Sequence, residues 1–260
     1  AIKSLFMAGI IPGILLGGGY IVKIAIDAKK RGFPKMEGTF DGKALAKAFV
    51  RAIPALLVPT IILGGVMGGF FTPTESGAVA VFAAMFAGFF YKTLKIKDIP
   101  AMLNRTAIST AAIFLIMAFG NIISWSMAME GIPQLLTNGI LSLTTNKYIV
   151  IAIMLVIMII VGCFLDATAA LIIFVPVFLP LTAYIGMDPL HFGLIFCIMI
   201  IIGLATPPVG MSLFVTSNVT GIRLSELCKE IWPFVIVALG ITCALAYLPN
   251  VVMFLPNLLT

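Results

Sequence analysis

Charge is what this sequence has least of. Only 10% of its 260 residues are Asp, Glu, Lys or Arg, while 62% are hydrophobic. A soluble domain carries about 25% charged and roughly 45–50% apolar residues. So few ionic groups cannot cover a water-facing surface, which excludes a soluble globular fold and implies a chain solvated by lipid. Metal clusters and disulfide frameworks are also hard to build here, because there is one histidine and the four cysteines have no C-x-x-C spacing. Cys163, Cys197, Cys228 and Cys243 read as small apolar fillers. The sequence has no H-E-x-x-H, no G-x-S-x-G and no phosphate-cradling glycine loop followed by lysine, so no enzyme is expected. An intramembrane aspartyl protease would need two facing aspartates in spans, and only Asp166 qualifies.

What is present is a series of long uncharged runs. Residues 4–22, 52–74, 106–129, 148–165, 167–187, 189–222 and 231–260 contain no Asp, Glu, Lys or Arg. A spanning helix needs about 20 apolar residues. Backbone polar groups in lipid must pair internally, so the runs are helices or barrel strands. Barrel strands alternate polar and apolar residues over about 10 positions, and these runs are continuously apolar. The expected fold is an all-α polytopic membrane protein.

The net charge of +6 lies between apolar runs and not on a basic domain, so no nucleic acid is expected as a partner. Lys23, Lys29, Lys30, Arg31, Lys35, Lys43, Lys47 and Arg51 cluster in one segment, and Lys92, Lys95, Lys97 and Arg105 in another. The positive-inside bias makes both cytoplasmic and puts 130–147 and 182–190 on the opposite side. The chain begins at Ala1 and enters an apolar run almost at once. It is expected to be a fragment that lacks an N-terminal part.

The expected organisation follows from these runs. Residues 1–30 form a first helix, with Gly9, Gly13 and Gly17 as a small-residue face. Residues 31–51 form a basic loop. Helices fill 52–130, an interfacial helix fills 131–147, and 148–260 holds the segments with unusual features. Within it, two apolar runs meet at Asp166-Ala167-Thr168. They are either two full spans with a cytoplasmic turn or a re-entrant hairpin over 148–181. The absence of Lys and Arg at the turn favours the hairpin. The uncharged stretch 189–222 is too long for one simple span and contains Thr206-Pro207-Pro208-Val209-Gly210, so a broken helix is expected over 190–219. A short amphipathic segment at 223–230 precedes a final helix at 231–257.

A hairpin tip near a broken helix can bind ions without many charged side chains. Half-helix C-terminal ends and unwound carbonyls suit a cation such as Na⁺, and half-helix N-terminal ends suit an anion. Asp166 is an ion-site carboxylate, a helix N-cap or an exposed loop residue. The first two are not separable from sequence, and a role at the site is the favoured reading. Thr74 and Glu75 read as helix-start chemistry, with Thr72 or Thr74 as the cap. His191 reads as an interfacial anchor more readily than as a proton carrier.

Four motifs carry a further inference. They are Gly64-Gly65 through Phe71-Thr72-Pro73-Thr74-Glu75-Ser76-Gly77, then Asp166-Ala167-Thr168-Ala169-Ala170, Asp188-Pro189-Leu190-His191-Phe192-Gly193, and Gly203-Leu204-Ala205-Thr206-Pro207-Pro208-Val209-Gly210. Their order and spacing resemble the large membrane subunit of tripartite ATP-independent periplasmic (TRAP) transporters, specifically its C-terminal part. The resemblance implies an elevator fold of the ion-transporter superfamily, here one inverted repeat plus a preceding helix. The helices at 52–130 would be scaffold, and 1–30 with 148–260 would be the moving domain. It also implies a bacterial inner-membrane location and Na⁺-driven import of a carboxylate solute such as a C4-dicarboxylate or sialic acid. A small membrane subunit and a periplasmic substrate-binding protein would be the partners. By the same resemblance, Gly162, Asp166, Thr168, Ala205, Thr206 and Pro207 would form a sodium site, with Ala169, Pro208, Val209 and Gly210 adjacent to the substrate. The family pattern at the hairpin tip often has glycine where Ala167 stands. The alternatives are an uncoupled channel or a scaffold subunit that does not transport.

Overall fold

The continuous apolar runs fold as helices. A computed structural model describes residues 2–33 and 41–259, and among these it is all-helical: α1 (Ile2–Arg31), α2 (Gly42–Met67), α3 (Pro73–Phe90), a 3₁₀ turn (Ile96–Asp98), α4 (Ile99–Met129), α5 (Ile132–Leu143), α6 (Lys147–Phe164), α7 (Ala167–Tyr184), α8 (Pro189–Leu204), α9 (Met211–Thr220), α10 (Leu224–Tyr247) and α11 (Pro249–Leu259). By length and composition, seven of the helices can cross a membrane. The chain is a polytopic membrane protein.

Several boundaries differ from the sequence expectations. Residues 42–51, expected within a loop, are the first turns of α2. Asp41 caps that helix by accepting from the backbone N–H groups of Lys43 and Ala44, and the Ala- and Lys-rich sequence favours helix. Lys35, in the same basic segment, lies outside the described residues. The segment 223–230 is no separate interfacial piece, because α10 starts at Leu224. The final helix does not run to 257 unbroken; it stops at Tyr247, and α11 starts at Pro249. Pro249 explains the break, since the residue before a proline is pushed out of the helical region. Pro12, Pro54, Pro59, Pro176, Pro180 and Pro233 nevertheless stay inside helices, as membrane helices tolerate when neighbours cover the freed backbone.

The chain divides into two compact units. One holds Ala1–Met7 and Gly32–Thr110, the other Ala8–Arg31 and Ala111–Thr260. In the first unit α2 and α3 pair. The turn between them is closed by the N–H groups of Phe70 and Phe71, which both donate to the Gly65 carbonyl (3.0 and 3.2 Å). At the other end of the pair, the Tyr91 hydroxyl donates to the Arg51 carbonyl.

In the second unit the core forms where α7 and α8 meet. Phe178, Phe192 and Phe196 pack with ring centroids 5.7–6.4 Å apart, and Phe178 and Phe196 are fully buried. Lipid tails are as apolar as leucine, so this contact gains from shape and dispersion and not from leaving water. Helix α1 is fastened to α10. Tyr20 lies 6.0 Å from Phe234 between ring centroids, the Lys23 ammonium sits 5.3 Å from the same ring while pairing with Asp27, and Arg31 pairs with Glu230 at 2.8 Å.

Candidate functional site

The site is built from one close helix crossing. Helices α6 and α8 meet through Gly162 and Gly203. A Cβ on Gly162 would lie 2.7 Å from the Ile200 carbonyl oxygen and 3.1 Å from the Gly203 Cα. A Cβ on Gly203 would lie 2.7 Å from the Gly162 Cα and 2.9 Å from the Ile159 carbonyl oxygen. Only hydrogen fits at either position, so the two backbones touch.

Both glycines lie near the C-terminal ends of their helices, and α6 ends at Phe164 and α8 at Leu204. The crossing therefore brings two helix C-termini together, each with partial negative charge and carbonyls without intrahelical partners. After α8 the chain leaves the helix for six residues, 205–210, where the sequence placed the break, and resumes at Met211. Gly210 allows this turn. It adopts φ +46°, and a Cβ there would meet the Thr206 and Leu204 carbonyl oxygens at 2.8 and 3.2 Å. Its N–H donates to the Cys163 carbonyl at 3.3 Å, which ties the α8–α9 break to the end of α6.

The predicted site residues separate into those joined here and those placed nearby in sequence. Gly162 and Gly210 take part in the crossing and its tie. Thr206 is buried, and its hydroxyl donates to the Ile202 carbonyl at 2.6 Å. That bond uses its hydrogen and leaves the oxygen lone pairs as acceptors. Ala205 and Pro207 are half-buried in the break, with Pro208 exposed and Val209 half-buried beside them. Asp166 is exposed and caps α7, its carboxylate accepting the Thr168 N–H at 3.0 Å. Thr168 and Ala169 are half-buried in the first turn of that helix. Capping is therefore a role Asp166 has, and its other carboxylate oxygen has no hydrogen bond among the described residues.

Thr74 and Glu75 belong to the other unit, at the start of α3. Thr72 is the cap, and Glu75 completes a capping box by accepting from the Thr72 N–H and hydroxyl, both at 2.8 Å. The Thr74 hydroxyl lies 3.2 Å from that of Thr72. Gly203 and the Cys163 carbonyl were not among the predicted site residues. The signal for Gly203 was its place opening the Gly203–Gly210 motif, whereas a main-chain carbonyl leaves no mark in sequence. His191, expected as an interfacial anchor, stands in the first turn of α8. It is buried, and its ring Nε2 lies 3.0 Å from the Leu245 carbonyl oxygen.

The donor set has a definite chemistry. No group of three or more His, Cys, Asp or Glu residues is close enough to hold a metal among the described residues. Carbonyls, a threonine hydroxyl and one carboxylate are hard oxygen donors, which fit an alkali cation better than a transition metal.

Apolar helices of spanning length around a helix break and a close glycine crossing define a polytopic membrane protein. The particular family follows from comparison. The family described as "Tripartite ATP-independent periplasmic transporter, DctM component" matches residues 1–251, and the chain belongs to it. Three relatives illustrate the range. The C4-dicarboxylate TRAP transporter large permease protein DctM of Pseudomonas aeruginosa is 35% identical over 99% of this chain and 60% of its own length. The sialic acid TRAP transporter large permease protein SiaM of Vibrio cholerae is 33% identical over 99% of this chain and 60% of its own. The isethionate TRAP transporter permease protein DctMQ of Oleidesulfovibrio alaskensis is 34% identical over 98% and 40%. The chain thus spans three fifths or less of these relatives. It is a multi-pass inner-membrane protein and not an enzyme.

Proposed function

We propose that this chain is the C-terminal part of a permease subunit that imports an organic acid anion by secondary transport, coupled to sodium. The carrying observation is the Gly162–Gly203 crossing with its Gly210–Cys163 tie. It places two negative helix ends and the unwound 205–210 carbonyls beside one another, a favourable environment for Na⁺. Gly162, Asp166, Thr168, Ala205, Thr206 and Pro207 would hold the ion. The N-terminal starts of α7 and α9 present partial positive charge to the substrate near Ala169, Pro208, Val209 and Gly210. Each sodium ion driven by 100 mV contributes about 2.3 kcal/mol, before its concentration gradient is added.

In this reading α6 and α7 are a re-entrant hairpin, a device supported by the contact of its tip with the α8 break. The moving body of an elevator comprises α6–α10 together with α1, which is fastened to α10. The scaffold lies in 52–130. The solute is a carboxylate such as a C4-dicarboxylate or sialic acid, as the names of two relatives suggest. A periplasmic binding protein delivers it, and a small membrane subunit completes the assembly.

Uptake of radiolabelled succinate and sialic acid into proteoliposomes tests this, using the full-length permease, its small subunit and a matched binding protein. The expected result is uptake that stops when choline replaces sodium. Equal uptake in choline would overturn the coupling and favour an uncoupled channel.

A further inference from the structure

At the end of the second unit opposite the α6–α7 turn, a cavity of about 260 Å³ opens between the starts of α6 and α8 and the α10–α11 break. Its lining includes Lys147, Tyr148, Asp188, His191 and Tyr247. Two side-chain hydrogen bonds between segments far apart in sequence fix its walls. Buried His191 on α8 reaches the Leu245 carbonyl of α10 at 3.0 Å, and the Tyr247 hydroxyl donates to the Tyr148 carbonyl of α6 at 3.0 Å. The Tyr148 and Tyr247 rings add a contact at 5.9 Å between centroids. These bonds do not form within one helix; they hold three helices around a space.

The electrostatics favour an anion. Lys147 is exposed and makes no ion pair among the described residues. Asp188, the acid on the same wall, accepts the Leu190 and His191 backbone N–H groups at 2.8 and 3.2 Å. Its charge thus faces the positive end of α8, whereas the Lys147 ammonium has no anionic partner among the described residues. By the charge pattern of the loops, this end lies on the non-cytoplasmic side, where an imported solute would arrive.

We propose that this pocket binds a small carboxylate, with Lys147 as the charged donor and Tyr148 and Tyr247 as its aromatic wall. It is a second site, separate from the α6–α8 crossing, and its occupation requires no sodium. The test uses the full-length permease with its small subunit in nanodiscs, carrying Tyr148→Trp as a fluorescence reporter and read against the parent protein. Titration with succinate in sodium-free buffer is expected to give a saturable change, and the neutral isostere succinamide none. Adding Lys147→Gln should raise the apparent Kd about tenfold, the loss expected for one charge-assisted hydrogen bond, while Lys147→Arg keeps it within about twofold. Asp166→Asn should leave the signal unchanged, so the result does not depend on the transport reading. No response to succinate, an equal response to succinamide, or a Kd indifferent to Lys147→Gln would overturn the proposal. Lys147 is exposed, so its replacement does not threaten the fold.

Discussion

The α2–α3 and α6–α7 connections each join two apolar helices beside an acid, and they satisfy their polar groups differently. The α2–α3 turn is self-contained. Thr72 and Glu75 bond each other reciprocally, and Gly65 receives two N–H groups from its own turn. The α6–α7 turn is left open. Asp166 accepts one N–H from its own helix, and the Cys163 carbonyl is bonded by Gly210, which belongs to another segment. A turn that completes its own hydrogen bonding needs no partner. One that leaves carbonyl and carboxylate oxygens to distant segments can bind something there, and its stability depends on those segments.

The sharpest test of this contrast is glycine replacement. At the α6–α8 crossing beside the open α6–α7 turn, Gly162→Ala or Gly203→Ala drives a methyl into backbone that cannot rotate away. Overpacking of this kind costs about 1–3 kcal/mol, occasionally more. The expected outcome is a clear drop in thermal midpoint of the purified full-length permease and loss of uptake. In the α2–α3 pair, Gly64→Ala and Gly77→Ala meet nothing within 4 Å. They should leave both measurements unchanged or slightly raise the midpoint, since alanine is the better helix former by about 1 kcal/mol. Equal damage at both places would erase the distinction between an open and a closed turn.

A smaller effect separates charge from capping at the open turn. Asparagine caps a helix about as well as aspartate, whereas alanine loses about 1 kcal/mol. Asp166→Asn should therefore keep the melting temperature but raise the sodium concentration needed for half-maximal uptake by roughly tenfold, as loss of one charge-assisted contact would. Asp166→Ala should lower both stability and sodium response. If Asp166→Asn transports with unaltered sodium dependence, the carboxylate is a cap and nothing more.

Much of this fold was legible in the sequence because membrane burial writes itself locally. Uncharged runs gave the helices, Thr206-Pro207-Pro208-Val209-Gly210 gave the break between Leu204 and Met211, and the Thr72-to-Glu75 spacing gave the start of α3. What stayed hidden depends on partners distant along the chain. Gly162 and Gly203 are 41 positions apart; the first is a predicted site residue and the second opens a motif, but nothing local shows that the two touch. His191 reads as an interfacial residue because it follows Asp188-Pro189 at the start of a span; the packing of α10 provides the Leu245 carbonyl that its buried ring meets. The pocket beside it is likewise made by three helices whose sequences do not mention one another.

The smallest expected effect lies in the closed pair and concerns Ser76. Its hydroxyl is fully buried and has no hydrogen-bond partner among the described residues. It lies 3.1 Å from where a Cβ on Gly65 would stand. A buried hydroxyl without a partner costs on the order of 1–3 kcal/mol relative to one that is bonded. Ser76→Ala removes that cost and only a small volume, so it should be neutral or raise the thermal midpoint slightly, with uptake unchanged. Gly65→Ala, by contrast, would place a methyl 2.7 Å from the Phe71 ring. The ring is a side chain and 40% exposed, so it can swing aside, and the penalty should fall below that of Gly162→Ala. If Ser76→Ala instead destabilised the protein as much as Gly203→Ala, the hydroxyl would have to bond a group outside α2 and α3. The first pair would then be open like the second, and the contrast between them would fail.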